Sequence, residues 1–214
     1  MPIFAQILHT GRQTTNVHLR MPSWAPSPAP WSATGAIPHQ ITEREMDEVT
    51  DYFVASAELL RDAGYDGLEV HFGHGHLLHQ FLSPAVNQRT DEYGGSEENR
   101  LRFPLAVLRA VQRAVGDTMV VGIRVSGDEL VPGGLGLAES VRLIQQVHRA
   151  APVRSSTSRS RPMPCQKYRL SCCRDELWSG SLSLCRRGVA RGDPRRANLH
   201  HRRFTSAAVA EGGA

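Results

Sequence analysis

Through its first 150 residues the chain switches repeatedly between an apolar period near 2 and one near 3.6. Ile3 to Leu8 is a short apolar run broken by Gln6 and stopped by Gly11, which predicts a buried strand. Pro22, Pro26, Pro28 and Pro30, with Trp24 and Trp31 among them, oppose helix and central strand alike. Arg12 to Gln40 should therefore be irregular and partly extended, and loops of that length inside a domain are usually functional. At Thr42 the period changes. Thr42 and Glu45 form a capping-box pattern, Met46, Val49, Phe53, Ala57 and Leu60 share one helical face, and Gly64 closes the helix. In "DGLEVHF", Leu68, Val70 and Phe72 alternate with Glu69 and His71, as in a strand. Ser96 is placed to cap a helix whose first turn carries Glu97 and Glu98, whose stripe is Leu105, Leu108, Val111 and Val115, and which Pro104 should kink. "MVVGIRV" (119–125) reads as a fully buried strand. A turn with Gly133, Gly134 and Gly136 then leads into a helix bearing Val141, Ile144 and Val147.

Strands alternating with helices argue for an α/β fold of parallel strands and crossover helices. A doubly wound sheet and a (β/α)8 TIM barrel both satisfy the order. The first strand is not followed by G-x-G-x-x-G, which lowers the dinucleotide-binding form of the former, so the barrel is the expectation. A barrel takes eight βα units in about 250 residues, and about three are legible, so the expected fold is a partial barrel.

From about Ala151 the pattern stops. Residues 151 to 214 are rich in Arg, Ser and Cys with no sustained period, and hold 13 Lys plus Arg against 4 Asp plus Glu, a balance of +9. Residues 1 to 150 hold 12 against 17, a balance of −5. The expected organisation is a partial barrel domain over 1–150 and a basic tail over 151–214, read as a disordered segment or as frame-shifted coding sequence that does not fold. A tail of that charge also raises nucleic-acid binding as a rival reading. Cys165, Cys172, Cys173 and Cys185 lack the close C-x2-C start of iron–sulfur ligands, and no cluster is assigned. No apolar run approaches the roughly 20 residues that span a bilayer, and the start lacks the marks of a leader peptide, which points to the cytoplasm and to no membrane partner.

In barrels and open parallel sheets functional groups gather at the carboxyl ends of strands, which selects Gln6 and His9, His71 and His74, and Arg124. "EVHFGHGHLLHQF" (69–81) places His71, His74, His76 and His79 within nine residues. Pairs of them could hold zinc, but there is no H-E-x-x-H and no nearby cysteine. A histidine-rich metal module is therefore kept only as a rival, and no metal is assigned. "HLLHQF" looks like a helical turn with Leu77, Leu78 and Phe81 inward, which makes His79 structural.

"AQILHTGR", "AGYDGLEVHFGHGHLLHQFLSPAVNQRTDEYGGSEENRLRFPLAVLRAV" and "VGIRVSGDE" resemble three successive blocks of the old yellow enzyme family, the FMN-dependent NAD(P)H:flavin oxidoreductases. The resemblance implies a (β/α)8 barrel that binds FMN, takes its reducing equivalents from NAD(P)H and reduces an activated alkene such as an enone. It implies further that the three units are the third to fifth of the barrel and that the chain is a truncated, inactive piece. Gln6 would then bond the pyrimidine edge of FMN, and Arg124 would lie beside N1 and the C2 carbonyl, where reduced flavin is negative. His71 and His74 match the pair that binds the substrate carbonyl. His76 stands where the family usually has tyrosine. Either it donates the proton to the α-carbon, from a group of ordinary pKa near 6.5 instead of about 10, or it fills the space while water donates. In "RTDEYGGSEENR" the resemblance assigns no catalytic role; Arg89, Asp91, Glu92 and Arg100 are expected to pair and order the loop.

Overall fold

In the computed structural model the chain runs β1 (Phe4–Ile7), β2 (Trp24–Ala25), β3 (His39–Gln40), α1 (Glu43–Asp62), β4 (Gly67–Phe72), α2 (Leu77–Leu82), α3 (Glu97–Val115), β5 (Val120–Val125), α4 (Leu137–Ala150) and β6 (Ser155–Ser158). The structure describes residues 2–14, 22–33, 35–153 and the backbone of Ser155–Ser158. These belong to the unit Met1–Cys172; a second unit, Cys173–Ala214, lies outside the described residues, as do all four cysteines.

Local chemistry places the helix starts. At α1 the Thr42 hydroxyl accepts from the Glu45 N–H at 3.3 Å, and the Glu45 carboxylate accepts from the Thr42 N–H at 2.8 Å, so two N–H groups that the helix cannot satisfy find partners. The buried stripe is Met46, Val49, Phe53 and Ala57. Ser96 caps α3 by accepting from the Asn99 N–H at 3.2 Å. That helix passes through Pro104 to Val115 without interruption.

The main sheet has the order β1-β4-β5-β6, all parallel. Each strand lies beside the strand of this sheet that follows it in the chain. A doubly wound sheet reverses direction at its switch point, whereas this single winding, with α1 packed on α3 and α3 on α4, is an arc of a (β/α)8 barrel.

Its two faces differ in kind. Leu68, Val70 and Phe72 of β4 and Val121, Ile123 and Val125 of β5 turn toward the helices, and all are buried. Each such side chain contributes about 1.5–3 kcal/mol by leaving water, against a net of about 1 kcal/mol for a hydrogen bond, so this row decides which face the helices cover. By the period of 2, the opposite row carries Gln6, Glu69, Gly122, His71 and Arg124.

Three expectations change. β1 is not a buried strand: Ile3 is 54% and Phe4 41% exposed, because β1 is the edge strand and has only β4 beside it among the described residues. β5 is not buried throughout, since Val120 and Arg124 lie on the uncovered row. The boundary at residue 150 falls short of the last strand. Ser155–Ser158 pair with Gly122–Val125, because α4 returns the chain to the free edge of β5. The rest of the tail, from residue 159, lies outside the described residues.

The long loop is irregular and partly extended where it is described, with a 3-10 turn at Gly11–Gln13 and with β2 and β3 paired in parallel through Trp24 and His39. Arg89 ties it to the neighbouring loop: one nitrogen donates to the carbonyls of Pro26 (3.3 Å) and Ile41 (2.8 Å), while the others fork onto Asp91 at 2.6–3.0 Å. A Cβ at Gly94 would lie 2.1 Å from the Arg89 carbonyl oxygen, so glycine is the residue this approach admits. Arg100 donates to the Leu82 carbonyl at 2.8 Å and to that of Gly95. Glu92 pairs instead with Arg102, at 3.6 Å.

Candidate active site

The uncovered row of the sheet ends in a cluster of polar groups at the carboxyl ends of β1, β4 and β5. His71 and Arg124 are direct register partners on adjacent strands, and Gln6 and Glu69 are partners one pleat earlier. The Gln6 amide donates to the Glu69 carboxylate at 3.1 Å. Gln6, His71 and Arg124, named separately from sequence, thus share one face.

After β4 the backbone makes an uncommon turn. His74 has φ 57° and Gly75 φ 71°, two successive left-handed residues. For histidine this conformation costs on the order of 1 kcal/mol or more, and the surroundings must over-determine it. Four side chains do so. The His74 N–H donates to Ser126 Oγ (2.9 Å), and its carbonyl accepts from Gln13 Nε2 (2.7 Å). The Gly75 N–H donates to His79 Nδ1 (2.8 Å), and its carbonyl accepts from Gln80 Nε2 (2.7 Å). The turn brings the rings of His74 and His76 each to 4.8 Å from that of His71.

The histidines therefore divide. His71 is 2% exposed and central to the three-ring cluster. Burial, then the neighbouring His76, His74 and Arg124, hold its imidazole down to about 3, so it stays neutral through physiological pH. A neutral imidazole keeps one N–H to donate and one nitrogen to accept. Burial also lowers His76, partly offset by a hydrogen bond to the Thr10 backbone.

His79 faces elsewhere. It accepts from Gly75 through Nδ1, so its neutral form carries the proton on Nε2, 3.5 Å from the buried carboxylate of Glu129. Burial holds His79 down to about 4 and pushes Glu129 up. Glu129 accepts from the Ser83 hydroxyl (2.7 Å) and the Leu135 N–H (2.6 Å), which makes it a tie between α2 and the loop after β5. The structural role expected for His79 fits this setting. His9 stacks on Trp24 with centroids 6.1 Å apart, and its carbonyl accepts the Leu77 N–H at 2.9 Å.

Sequence reasoning passed over Glu69, Gln13, Gln80, Ser126 and Glu129. Glu69 was detectable, because it lies two residues before His71 on the same face of one strand. Gln13 and Ser126 meet the turn across 61 and 52 residues of chain, Gln80 reaches Thr10 across 70 and Glu129 reaches Ser83 across 46, and none carries a local mark.

Against FMN, whose pyrimidine edge alternates donors and acceptors, this face offers suitable chemistry. Gln6 supplies an exposed amide, and Arg124 Nε and His71 Nδ1 are buried atoms with no hydrogen-bond partner among the described residues. Such atoms cost free energy unless a ligand or water meets them. The residues fit the group.

Residues 2–160 match the NADH:flavin oxidoreductase / NADH oxidase family, and the chain belongs to it. The resemblance to old yellow enzyme read from the three sequence blocks is therefore a family relationship. The chain is 42% identical to an NADH oxidase of Thermoanaerobacter brockii over 149 residues, 69% of this chain and 23% of that protein. It is 42% identical to a multifunctional alkene reductase/demethylase OYE of Caballeronia cordobensis over 123 residues, 57% of this chain and 18% of that protein. Among solved structures it is similar to morphinone reductase in complex with tetrahydroNAD, with a TM-score of 0.64 and 28% identity over 73% of this chain and 48% of that one. The chain thus spans about a fifth of the length of these two curated relatives. The family is FMN-dependent and uses a nicotinamide nucleotide as reductant, and its solved members are TIM-barrel flavoenzymes. Among the described residues no helix is long and apolar enough to cross a membrane.

Proposed function

We propose that this chain carries the substrate-binding face of an FMN-dependent NAD(P)H oxidoreductase that reduces the C=C bond of an α,β-unsaturated carbonyl compound. The carrying observation is the single face that Gln6, His71 and Arg124 share, with the rings of His74 and His76 at 4.8 Å from His71. The names of the alkene reductase and morphinone reductase relatives support this substrate class.

When bound, FMN supplies two-electron transfer between the nicotinamide and the alkene. Gln6, with its amide steadied by Glu69, and Arg124 are the residues that would hold its pyrimidine edge, the guanidinium meeting the charge that gathers there on reduction. His71 and His74 bind the substrate carbonyl oxygen. N–H groups aimed at that oxygen strengthen their bonds as negative charge builds on it, and a neutral His71 donates without the reorganisation a titrating group would need. His76 delivers the proton to the α-carbon.

The test is direct. The inactive piece that the resemblance implies and the working site proposed here give opposite results in one assay: on the proposal, the full chain mixed with FMN and NADH or NADPH oxidises the nicotinamide faster when 2-cyclohexenone is added and converts it to the saturated ketone. Failure to retain FMN after gel filtration, together with no product, would remove the reading.

The His76 role gives a second expectation, in pH. Because the His76 pKa lies below its ordinary 6.5, the imidazolium that can donate is plentiful in acid and disappears as pH rises. Turnover should therefore fall about tenfold per unit above that pKa. His71, already neutral, does not contribute to this slope. The His76→Tyr variant, with a phenol of pKa about 10, should flatten the profile between about pH 6 and 9. A wild-type profile already flat over that range would assign the proton to water.

A further inference from the structure

The left-handed turn that carries His74 is held at its second residue by two adjacent side chains of α2. His79 takes the N–H of Gly75, and Gln80 donates to its carbonyl. Both side chains are almost fully buried, at 2% and 1% exposure. Gln80 does more than His79. Its amide nitrogen also donates to the Thr10 carbonyl (3.3 Å), and its oxygen accepts the Arg12 N–H (3.4 Å), which attaches the segment after β1 to the same post. The approach is close: a Cβ at Gly11 would lie 2.4 Å from Gln80 Nε2, at a residue with φ 59°. The chain that follows Gln6 and the turn that carries His74 and His76 are therefore indexed to one buried amide.

We infer that Gln80 is a positioning residue that sets the His74–His76 turn against the end of β1, and so fixes where His74 and His76 stand relative to Gln6. A productive site tolerates displacements of only about 0.5 Å, so an index of this kind matters for chemistry even though Gln80 touches none of the groups that would react. The functional consequence rests on the role proposed for His71 and His74. The clamp itself does not, and it is tested without turnover.

The test uses the full chain labelled with 15N-histidine. In Gln80→Met, which keeps the length and apolar packing but removes both donors and the acceptor, the ring resonances of His74 and His76 should shift or broaden, while those of His39 and His148 stay in place. Gln80→Glu, which keeps the acceptor for Arg12 and loses the donors to Gly75 and Thr10, should disturb the same two histidines. Unchanged His74 and His76 resonances in both variants would overturn the inference. So would loss of the whole folded spectrum in both, since Gln80 would then hold the domain instead of one turn. Amide exchange in the wild-type chain gives a reading that needs no variant. The Arg12 N–H, which donates to Gln80 Oε1, should exchange at least about tenfold more slowly than an unprotected arginine amide, and free exchange there would also overturn the clamp.

Discussion

His71→Ala in the FMN-loaded protein should lower kcat/KM for an enone by about 10²–10³-fold, the loss expected when one preorganised donor to a developing oxyanion is removed. The ring is buried, held neutral, and in contact with both other site histidines, so its removal takes away a donor and the surface that orients the other two. His71→Asn keeps a side-chain donor and should recover part of the loss. Reduction of bound FMN by NAD(P)H should change much less in both variants, because the substrate carbonyl takes no part in that half of the cycle. Equal losses in the two half-reactions would show that His71 supports the fold or the flavin, and would sink its role at the carbonyl.

Phe81→Ala should cost about 3–5 kcal/mol of stability, the range for truncating a fully buried aromatic residue. Phe81 is completely buried, lies 4.7 Å from Phe103 between ring centroids at an interplanar angle of 53°, and anchors α2 against α3. Its carbonyl also accepts from Asn87 at 2.8 Å, where the following loop begins. The helix it anchors carries His79 and Gln80, so the same substitution should loosen the histidine turn. Urea denaturation followed by circular dichroism measures the cost. Tyr52→Ala, on the exposed side of α1 at 63% exposure, is the control and should change stability by no more than about 0.5 kcal/mol. A Phe81 variant as stable as the Tyr52 variant would mean that α2 is not packed as described.

Most of the architecture was legible because its signals are local. The capping box of α1, the Ser96 cap of α3 and the stripes of both depend on residues three and four apart, and the rows of β4 and β5 on residues two apart, so each element could be placed from its own segment. β1 was misjudged for the opposite reason. Ile3–Leu8 has the composition of a buried strand, and only its place at the sheet edge leaves Ile3 and Phe4 exposed. The same holds at the far end, where Ser155–Ser158 carry no strand pattern and are strand only through pairing with β5.

The site divides along the same line. Residue types at strand ends, together with the family resemblance, were enough to name Gln6, His71, His74, His76 and Arg124 as candidates. Four histidines in nine residues are equivalent as a string, and what separates them is contact. Ser126 and Gln13, 52 and 61 residues from His74, fix the turn that brings two rings against His71, while the Gly75 N–H takes up Nδ1 of His79 and leaves its Nε2 on the side of Glu129. Periodicity and capping act over one turn or one pleat and so are written into each segment. The division of labour among the histidines arises where parallel strands bring their carboxyl ends together, because the hydrogen bonds that fix His74 in its turn close loops of 52 and 61 residues.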